Sequence, residues 1–492
     1  MTDFEAPAVQ LGAIGPEIAL LTMALLILIV DAFIPEGEER WYLAVLATIG
    51  FGIAIVLAVN QWGEHELHLA RMVAVDNFAT FVKISLAGFG VLTVWLARDY
   101  FKRSEDEESE LYALILFAVA GMMLMASAAD LIMVFLALET FSISVYVLVG
   151  FRRRAIASQE SAMKYFLLGA FSSAFFLMGI ALVYGATGTT NLYAGEAGRG
   201  LTGFLLSSAP SDVDLLLIGA GLLLVGLGFK VAAVPFHMWT PDAYQGAPSP
   251  ITGFMAAGTK FAAFATLLRL FVVVLYPLRG DWRPIVTTIA IVTMVVGSLL
   301  AVVQEDMKRL LAYSSIAHAG FLLTGVVAAS EQGLSGSLFY LATYGITVLG
   351  AFAVVAVLAG RNERFVTLAG YRGLFYERPL LAGALTLFML SLAGVPLTSG
   401  FVGKFLVFGA AIQSGYWWLA VIGMLASVVA TFFYLRVLVV MYMQEGEARA
   451  EPAIRGRLAG SVVVLTAVAT VVFGIVWAPL IDLAQDATLF FP

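Results

Sequence analysis

Cysteine does not occur in the 492 residues. Its absence excludes disulfides, thiolate zinc sites and iron–sulfur clusters ligated by this chain. Histidine is nearly as scarce: His65, His68, His237 and His318 are the full set, and no helix carries two of them at haem-ligand spacing. No redox centre, metal or other cofactor is therefore expected in the chain itself. Charge is thin as well, at 12% Asp, Glu, Lys and Arg, against about 25% in an average soluble domain. The net charge of −7 comes mostly from loops, and no basic run suits nucleic acid, so no nucleic-acid partner is expected.

What fills the chain is apolar: 61% of residues are hydrophobic. This composition predicts an all-α, polytopic integral membrane protein whose main surroundings are the lipid bilayer. A window of about 20 apolar residues yields fourteen spans, near 16–34, 41–60, 76–97, 111–128, 131–150, 162–184, 213–234, 250–277, 284–304, 310–328, 336–359, 380–413, 417–443 and 457–480. Acidic flanks and the lack of a small-residue cleavage site make the first a retained helix and not a signal peptide.

Lys and Arg alternate between the loops. One set holds Arg40, Arg98, Lys102, Arg103, Arg152, Arg153, Arg154, Lys308, Arg309, Arg361, Arg364, Arg372, Arg378, Arg449, Arg455 and Arg457; the other holds only Arg71, Arg199, Arg279 and Arg283. By the positive-inside rule this bias predicts a membrane protein with both termini on the outer side.

Seven basic residues remain inside spans: Lys83, Lys164, Lys230, Lys260, Arg269, Lys404 and Arg436. A long basic side chain near a helix end can snorkel to the interface at little cost. That reading suits Lys164, and for Lys83, Arg269 and Arg436 it stands level with function. Lys260 lies deep in its span, whereas Lys230 and Lys404 stand beside proline breaks; a charge at depth costs roughly 2.5–3.5 kcal/mol, so function is expected of these three. Among acids only Glu139, in FLALETFSISVYVLV, lies mid-span. Charged there, it requires a cationic partner, for which Lys230 is the candidate. Asp31, Asp76, Asp130 and Asp214 fall at span ends, where solvated or helix-start carboxylates are the default. His237 and His318 are secondary relay candidates.

Gly226 to Lys260 is the organising stretch: Pro235, Pro241, Pro248 and Pro250 interrupt an apolar run. Each removes a backbone donor, and carbonyls freed at membrane depth survive only when buried in protein or lining a wet cavity. A second break echoes it, since Ala232-Ala233-Val234-Pro235 and Ala393-Gly394-Val395-Pro396 both place a small pair before Val-Pro. These breaks, at Pro235 and Pro396, fall in spans 7 and 12. A spacing of five predicts two five-helix units, and because five is odd the units are inverted, as in secondary transporters. The expected organisation is an N-terminal three-helix segment (1–110), first and second five-helix repeats (111–283 and 284–443), and a C-terminal helix (444–492).

The runs KYFLLGAFSSAFFLMGIALVYGATGTTNL, GFKVAAVPFHMWTPDAYQGAPSP, KRLLAYSSIAHAGFLL and SLAGVPLTSGFVGKF, with GPEIALLTMALLILIVDAF near the start, resemble the subunit N family of NADH:quinone oxidoreductase, respiratory complex I, over nearly the whole chain. Subunits L and M look less similar. The resemblance implies a proton-translocating, antiporter-like subunit of the membrane arm, driven by quinone reduction elsewhere in the complex. It implies that Glu139, Lys230, Lys260 and Lys404 are proton-relay residues. FMN, iron–sulfur clusters and quinone are then expected in partner subunits, and the neighbouring subunits M and K among the membrane-arm partners. Two other readings remain open: a subunit of a multi-subunit sodium/proton antiporter, and a structural membrane subunit with an inactive channel.

Overall fold

The computed structural model describes residues 10–35, 40–104, 109–194, 200–207, 213–359, 363, 366–445 and 456–487. Arg199, Arg361, Arg364, Arg449 and Arg455, counted above for the loop bias, lie outside the described residues, as does the side chain of Arg103. Thirteen described helices are long and apolar enough to cross a membrane, from Leu11–Ala32 to Arg457–Ile475. The two shorter apolar helices, Pro379–Ala393 and Ser399–Gln413, are the halves of span 12. Together they give the fourteen crossings, and the spans keep their sequence numbering below.

Several boundaries differ from expectation. Span 6 runs Ile156–Thr187 and span 3 runs Asn77–Lys102, because polar residues at their ends continue the helix beyond the apolar window. Span 14 stops at Ile475, and Ala478–Asp486 forms a separate short helix. A two-stranded hairpin, Glu66–His68 with Val73–Val75, is the one sheet among the described residues. Both ends of the described chain lie on one face: Gln61 Nε2 donates to Gly12 O at 2.9 Å, and Asn77 Nδ2 donates to Asp486 O at 3.0 Å. That face is called the first face and the opposite one the second.

Spans 8, 10 and 11 are almost wholly buried and form the central column. Spans 1, 2, 6, 13 and 14 keep apolar faces such as Leu25, Val56, Phe171, Val428 and Val468 exposed, as lipid or apolar neighbours require. Span 8, Ser249–Val274, contains two π-helical stretches, Met255–Thr259 and Leu268–Val274. Such widened turns are rare and concentrate at functional sites; Lys260 follows the first and Arg269 sits in the second.

Corresponding features recur five spans apart. Asp130 caps span 5 by accepting from Ile132 N at 2.8 Å, and Asp306 caps span 10 by accepting from Arg309 N at 2.9 Å. Each capping residue also bridges to the connection two helices on, Asp130 to Asn191 and Asp306 to Thr367. The caps face opposite sides because five crossings separate them, which is the inverted relationship read from the proline spacing.

Candidate functional site

Both proline breaks form where expected, and both point their prolines outward while their lysines point in. The first half of span 7, Val213–Val231, ends at Ala232, whose φ of +62° is left-handed. A non-glycine residue held there costs about 1–3 kcal/mol. The freed groups are answered locally: Trp239 Nε1 donates to Phe229 O at 2.9 Å, and Val234 N donates to Thr293 Oγ1 at 2.9 Å. The chain re-forms as Trp239–Gly246. In span 12, Gly394 at φ +90° closes the first half. Here Lys404 itself answers the helix end, its Nζ donating to Leu392 O and Ala393 O, both at 2.9 Å, and to Ser427 Oγ at 2.8 Å. A cation among terminal carbonyls is where the helix dipole favours one.

Lys230 is buried in the last turn before the first break. Its Nζ donates to Ser142 Oγ at 2.7 Å and to Tyr146 Oη at 3.3 Å, and the rings of Tyr146, Phe141, Phe229 and Tyr165 stand 5.2–5.7 Å away. Glu139 does not touch it. The Glu139 carboxylate accepts from Ser173 Oγ at 2.5 Å, is only half-buried, and acts on Lys230 and Tyr146 electrostatically. The expected direct ion pair is therefore absent: Lys230 takes the Ser142 and Tyr146 hydroxyls as partners, and Glu139 takes Ser173. Glu139, Ser142 and Tyr146 fall at i, i+3 and i+7 on one helix face, a signal the sequence carried.

Lys260, buried at the centre, donates to the main-chain oxygen of Ser315. His318 lies three residues further along span 10, with Nδ1 2.6 Å from Tyr340 Oη and Nε2 3.2 Å from Tyr434 Oη. It is within electrostatic reach of both Lys260 and Lys404. The tyrosines were not anticipated, because a tyrosine in an apolar span reads as core. Lys404 Nζ also stands 4.9 Å over the Phe321 ring. His237, in the first break, is half-buried.

The structure bears on three further readings of charged residues. Lys83 does not snorkel; it is buried and pairs with Glu17 at 3.0 Å, a carboxylate overlooked because it opens the first span. Arg269 and Asp76 are neither snorkelling nor solvated: they form a buried pair at 2.8 and 3.0 Å. Lys308, read as a loop residue, is buried in the first turn of span 10 and meets Glu363 at 2.6 Å. Glu363 also accepts from Ser249 N at 2.9 Å, Ser249 Oγ at 2.6 Å and Tyr100 Oη at 2.8 Å. Burial pushes its carboxyl up, but Lys308 and these hydrogen bonds outweigh that and hold it below its ordinary value. Gly400, four residues before Lys404, lies where two helix halves approach closely. A Cβ there would meet Ser391 O, so Gly400 serves close helix contact, while Gly394 is the glycine against the Lys404 stem.

Three buried lysines and a buried histidine, each bonded to hydroxyls or main-chain oxygens of its own, suit proton handling. Among the described residues no group of three or more His, Asp or Glu side chains is placed to hold a metal ion. Residues 128–430 match the family described as NADH:quinone oxidoreductase/Mrp antiporter, transmembrane. NADH-quinone oxidoreductase subunit N of Trichlorobacter lovleyi is 44% identical over 97% of each chain. A chain of respiratory complex I from Thermus thermophilus superposes with a TM-score of 0.81 at 34% identity, covering 96% of this chain and 99% of that one. A chain of the Mrp complex from Dietzia shares the fold, with a TM-score of 0.82 at 21% identity over 97% and 96%. Near-full-length identity at this level, on a fold with both broken spans in place, establishes that the chain belongs to the NADH-quinone oxidoreductase subunit N family of multi-pass, antiporter-like membrane subunits.

Proposed function

We propose that this chain is a non-redox, proton-translocating subunit in the membrane arm of NADH:quinone oxidoreductase, and that Glu139, Lys230, Lys260 and Lys404 carry the proton. The observation that supports this most is the buried succession Lys230, Lys260, His318 and Lys404 at the centre of the chain, with Glu139 at its half-exposed edge. Burial disfavours a charged ammonium and a nearby carboxylate favours it. Moving or neutralising Glu139 then frees Lys230 to release its proton. Lys260 takes it through the Ser315 region, His318 passes it between two tyrosine hydroxyls, and Lys404 holds it at the broken end of span 12. His237 has the position of an accessory donor at the first break.

In this reading FMN, the iron–sulfur clusters and quinone reside in partner subunits and supply the redox chemistry, while this chain supplies only proton sites. Subunits M and K are the expected neighbours. The units 1–110, 111–283, 284–443 and 444–492 are the working domains. The membrane is the bacterial cytoplasmic membrane, and the first face is periplasmic, as the basic-residue bias favours.

The test is isolation of the chain through an affinity tag under mild detergent. Recovery with flavin- and iron–sulfur-containing subunits and NADH-driven quinone reductase activity is expected. Recovery only with other antiporter-like subunits, free of flavin and iron, would move the chain to the sodium/proton antiporter class.

A further inference from the structure

Two arginines off the lysine line occupy matching places in the two five-helix units. Arg269 lies late in span 8 and Arg436 late in span 13, Trp417–Met443, the helices that close the first and second units. Arg269 sends Nε and Nη2 to Ala126 O, at 3.2 and 3.0 Å. Ala126 is in the last turn of span 4, Ser109–Ser127, which opens the first unit. Arg436 sends Nη1 to Val302 O at 2.7 Å and Nη2 to Gln304 O. Val302 is the last residue of span 9, Tyr276–Val302, which opens the second unit. In each unit an arginine from the fifth helix thus caps the C-terminal end of the first. Five crossings separate the two caps, so they sit on opposite faces: Arg269 toward the first, beside Asp76, and Arg436 toward the second.

The choice of side chain bears on protons. The last carbonyls of a helix have no partner within it, and water gathered on them begins a hydrogen-bonded wire. Lys260 is nine residues inward of Arg269 on the same span, about 13 Å along a helix, which is a short reach for such a wire. Any neutral donor satisfies a carbonyl, and a lysine or carboxyl satisfies it while also relaying protons. Guanidinium donates five hydrogens, accepts none and keeps its proton. Around Arg269 all five are engaged: Ala126 O twice, Asp76 twice at 2.8 and 3.0 Å, and Tyr193 Oη at 2.8 Å, with the Phe78 ring 5.1 Å from Cζ. The carbonyl at the polar end of span 4 is thus met by a guanidinium that keeps its proton, and the Asp76 carboxylate and Tyr193 hydroxyl beside it are held by that same guanidinium.

We propose that Arg269 and Arg436 are a matched pair of proton seals, closing the first unit toward the first face and the second unit toward the second. A proton crossing between faces must then run laterally along the Lys230–Lys404 line from one unit to the other, and direct escape within either unit is blocked. This rests on the proton-translocating reading above.

The test uses the whole complex in proteoliposomes, bearing Arg269→Gln or Arg436→Gln. Decay of an imposed pH gradient is followed without NADH, then quinone reductase turnover with and without an uncoupler. The gradient is expected to decay several-fold faster in each variant, with uncoupled turnover retained and its stimulation by uncoupler lost. Assembled variants that hold the gradient as tightly as the native complex overturn the proposal. Arg436 makes no ion pair among the described residues, so its replacement strands no buried charge. For Arg269 the double variant Arg269→Gln/Asp76→Asn removes both charges, and the same leak is expected. Lys230→Ala, reconstituted in parallel, separates the two ideas. Normal pumping by that variant defeats the proton-translocating reading itself, whereas lost pumping there beside tight arginine variants defeats only the seals.

Discussion

Replacing Lys404 by arginine separates a residue that holds positive charge from one that hands a proton on. The Lys404 ammonium is bonded to Leu392 O, Ala393 O and Ser427 Oγ. Arginine can supply donors to the same carbonyls, so the end of the broken helix stays partnered and the complex should assemble. Alanine leaves Leu392 O without its donor, while Ser427 Oγ, 3.3 Å from Ala393 O, still serves the other carbonyl. One carbonyl left unsatisfied costs about 1–3 kcal/mol, which a large assembled complex should survive. The ordinary pKa values of the two side chains differ by about two units or more, so the neutral form of arginine is about 100-fold rarer than that of lysine at any working pH. A relay through residue 404 should therefore fail in Lys404→Arg nearly as completely as in Lys404→Ala. The assay is NADH-driven proton uptake by reconstituted complex, scaled to quinone reductase turnover. Near-normal pumping by the arginine variant would return Lys404 to the class of charges that merely cap a helix.

Glu139→Gln and Lys230→Ala should each depress pumping and coupled quinone reductase activity while leaving the complex assembled, as checked by native gels and reconstituted assays. Tyr146→Phe removes one of the hydroxyls beside the Lys230 ammonium and should slow pumping less than Lys230→Ala does, with the fold unaffected. Glu363→Gln should destabilise the second face by about 3–5 kcal/mol, the cost of stranding a buried partner, here Lys308, visible as a lower unfolding temperature. Because the Glu363 carboxyl is held below its ordinary value, its contribution should be full above about pH 4.3, flat through neutrality, and lost only as the pH falls through the lowered value. Superposing residues 111–277 on 284–443 in an experimental structure should require a two-fold axis in the membrane plane and bring Pro235 onto Pro396; a parallel relation would refute the inverted units.

Much of the fold was legible because lipid is a severe constraint: every span had to appear as a long apolar run, and alternate loops had to carry the basic residues. The breaks were legible for the same reason, since proline within such a run requires a local answer. What the sequence hid was pairing between spans distant in the chain. Arg269 looked able to snorkel because its partner Asp76 opens a helix 193 residues earlier, and no local spacing reports that contact. Lys308 was counted as a loop charge because burial at a helix start depends on contacts with residues far along the chain, here Glu363. Gly400 shows the same limit: its neighbour on the helix is Lys404, but its neighbour in space is Ser391 O. Tyr340 and Tyr434 were missed at His318 because a hydroxyl at membrane depth becomes informative only when its partner is known.

Lys260 gives the most direct test of the central claim, because it is buried mid-membrane and touches neither proline break nor any described carboxylate. Lys260→Met keeps the volume and the apolar stem while removing the proton site. The decisive quantity is the number of protons moved per NADH oxidised by the reconstituted complex, measured with turnover held equal by adjusting enzyme. A fall in that ratio relative to the native complex, with the subunit present at full occupancy, is the result the account predicts; an unchanged ratio would contradict it.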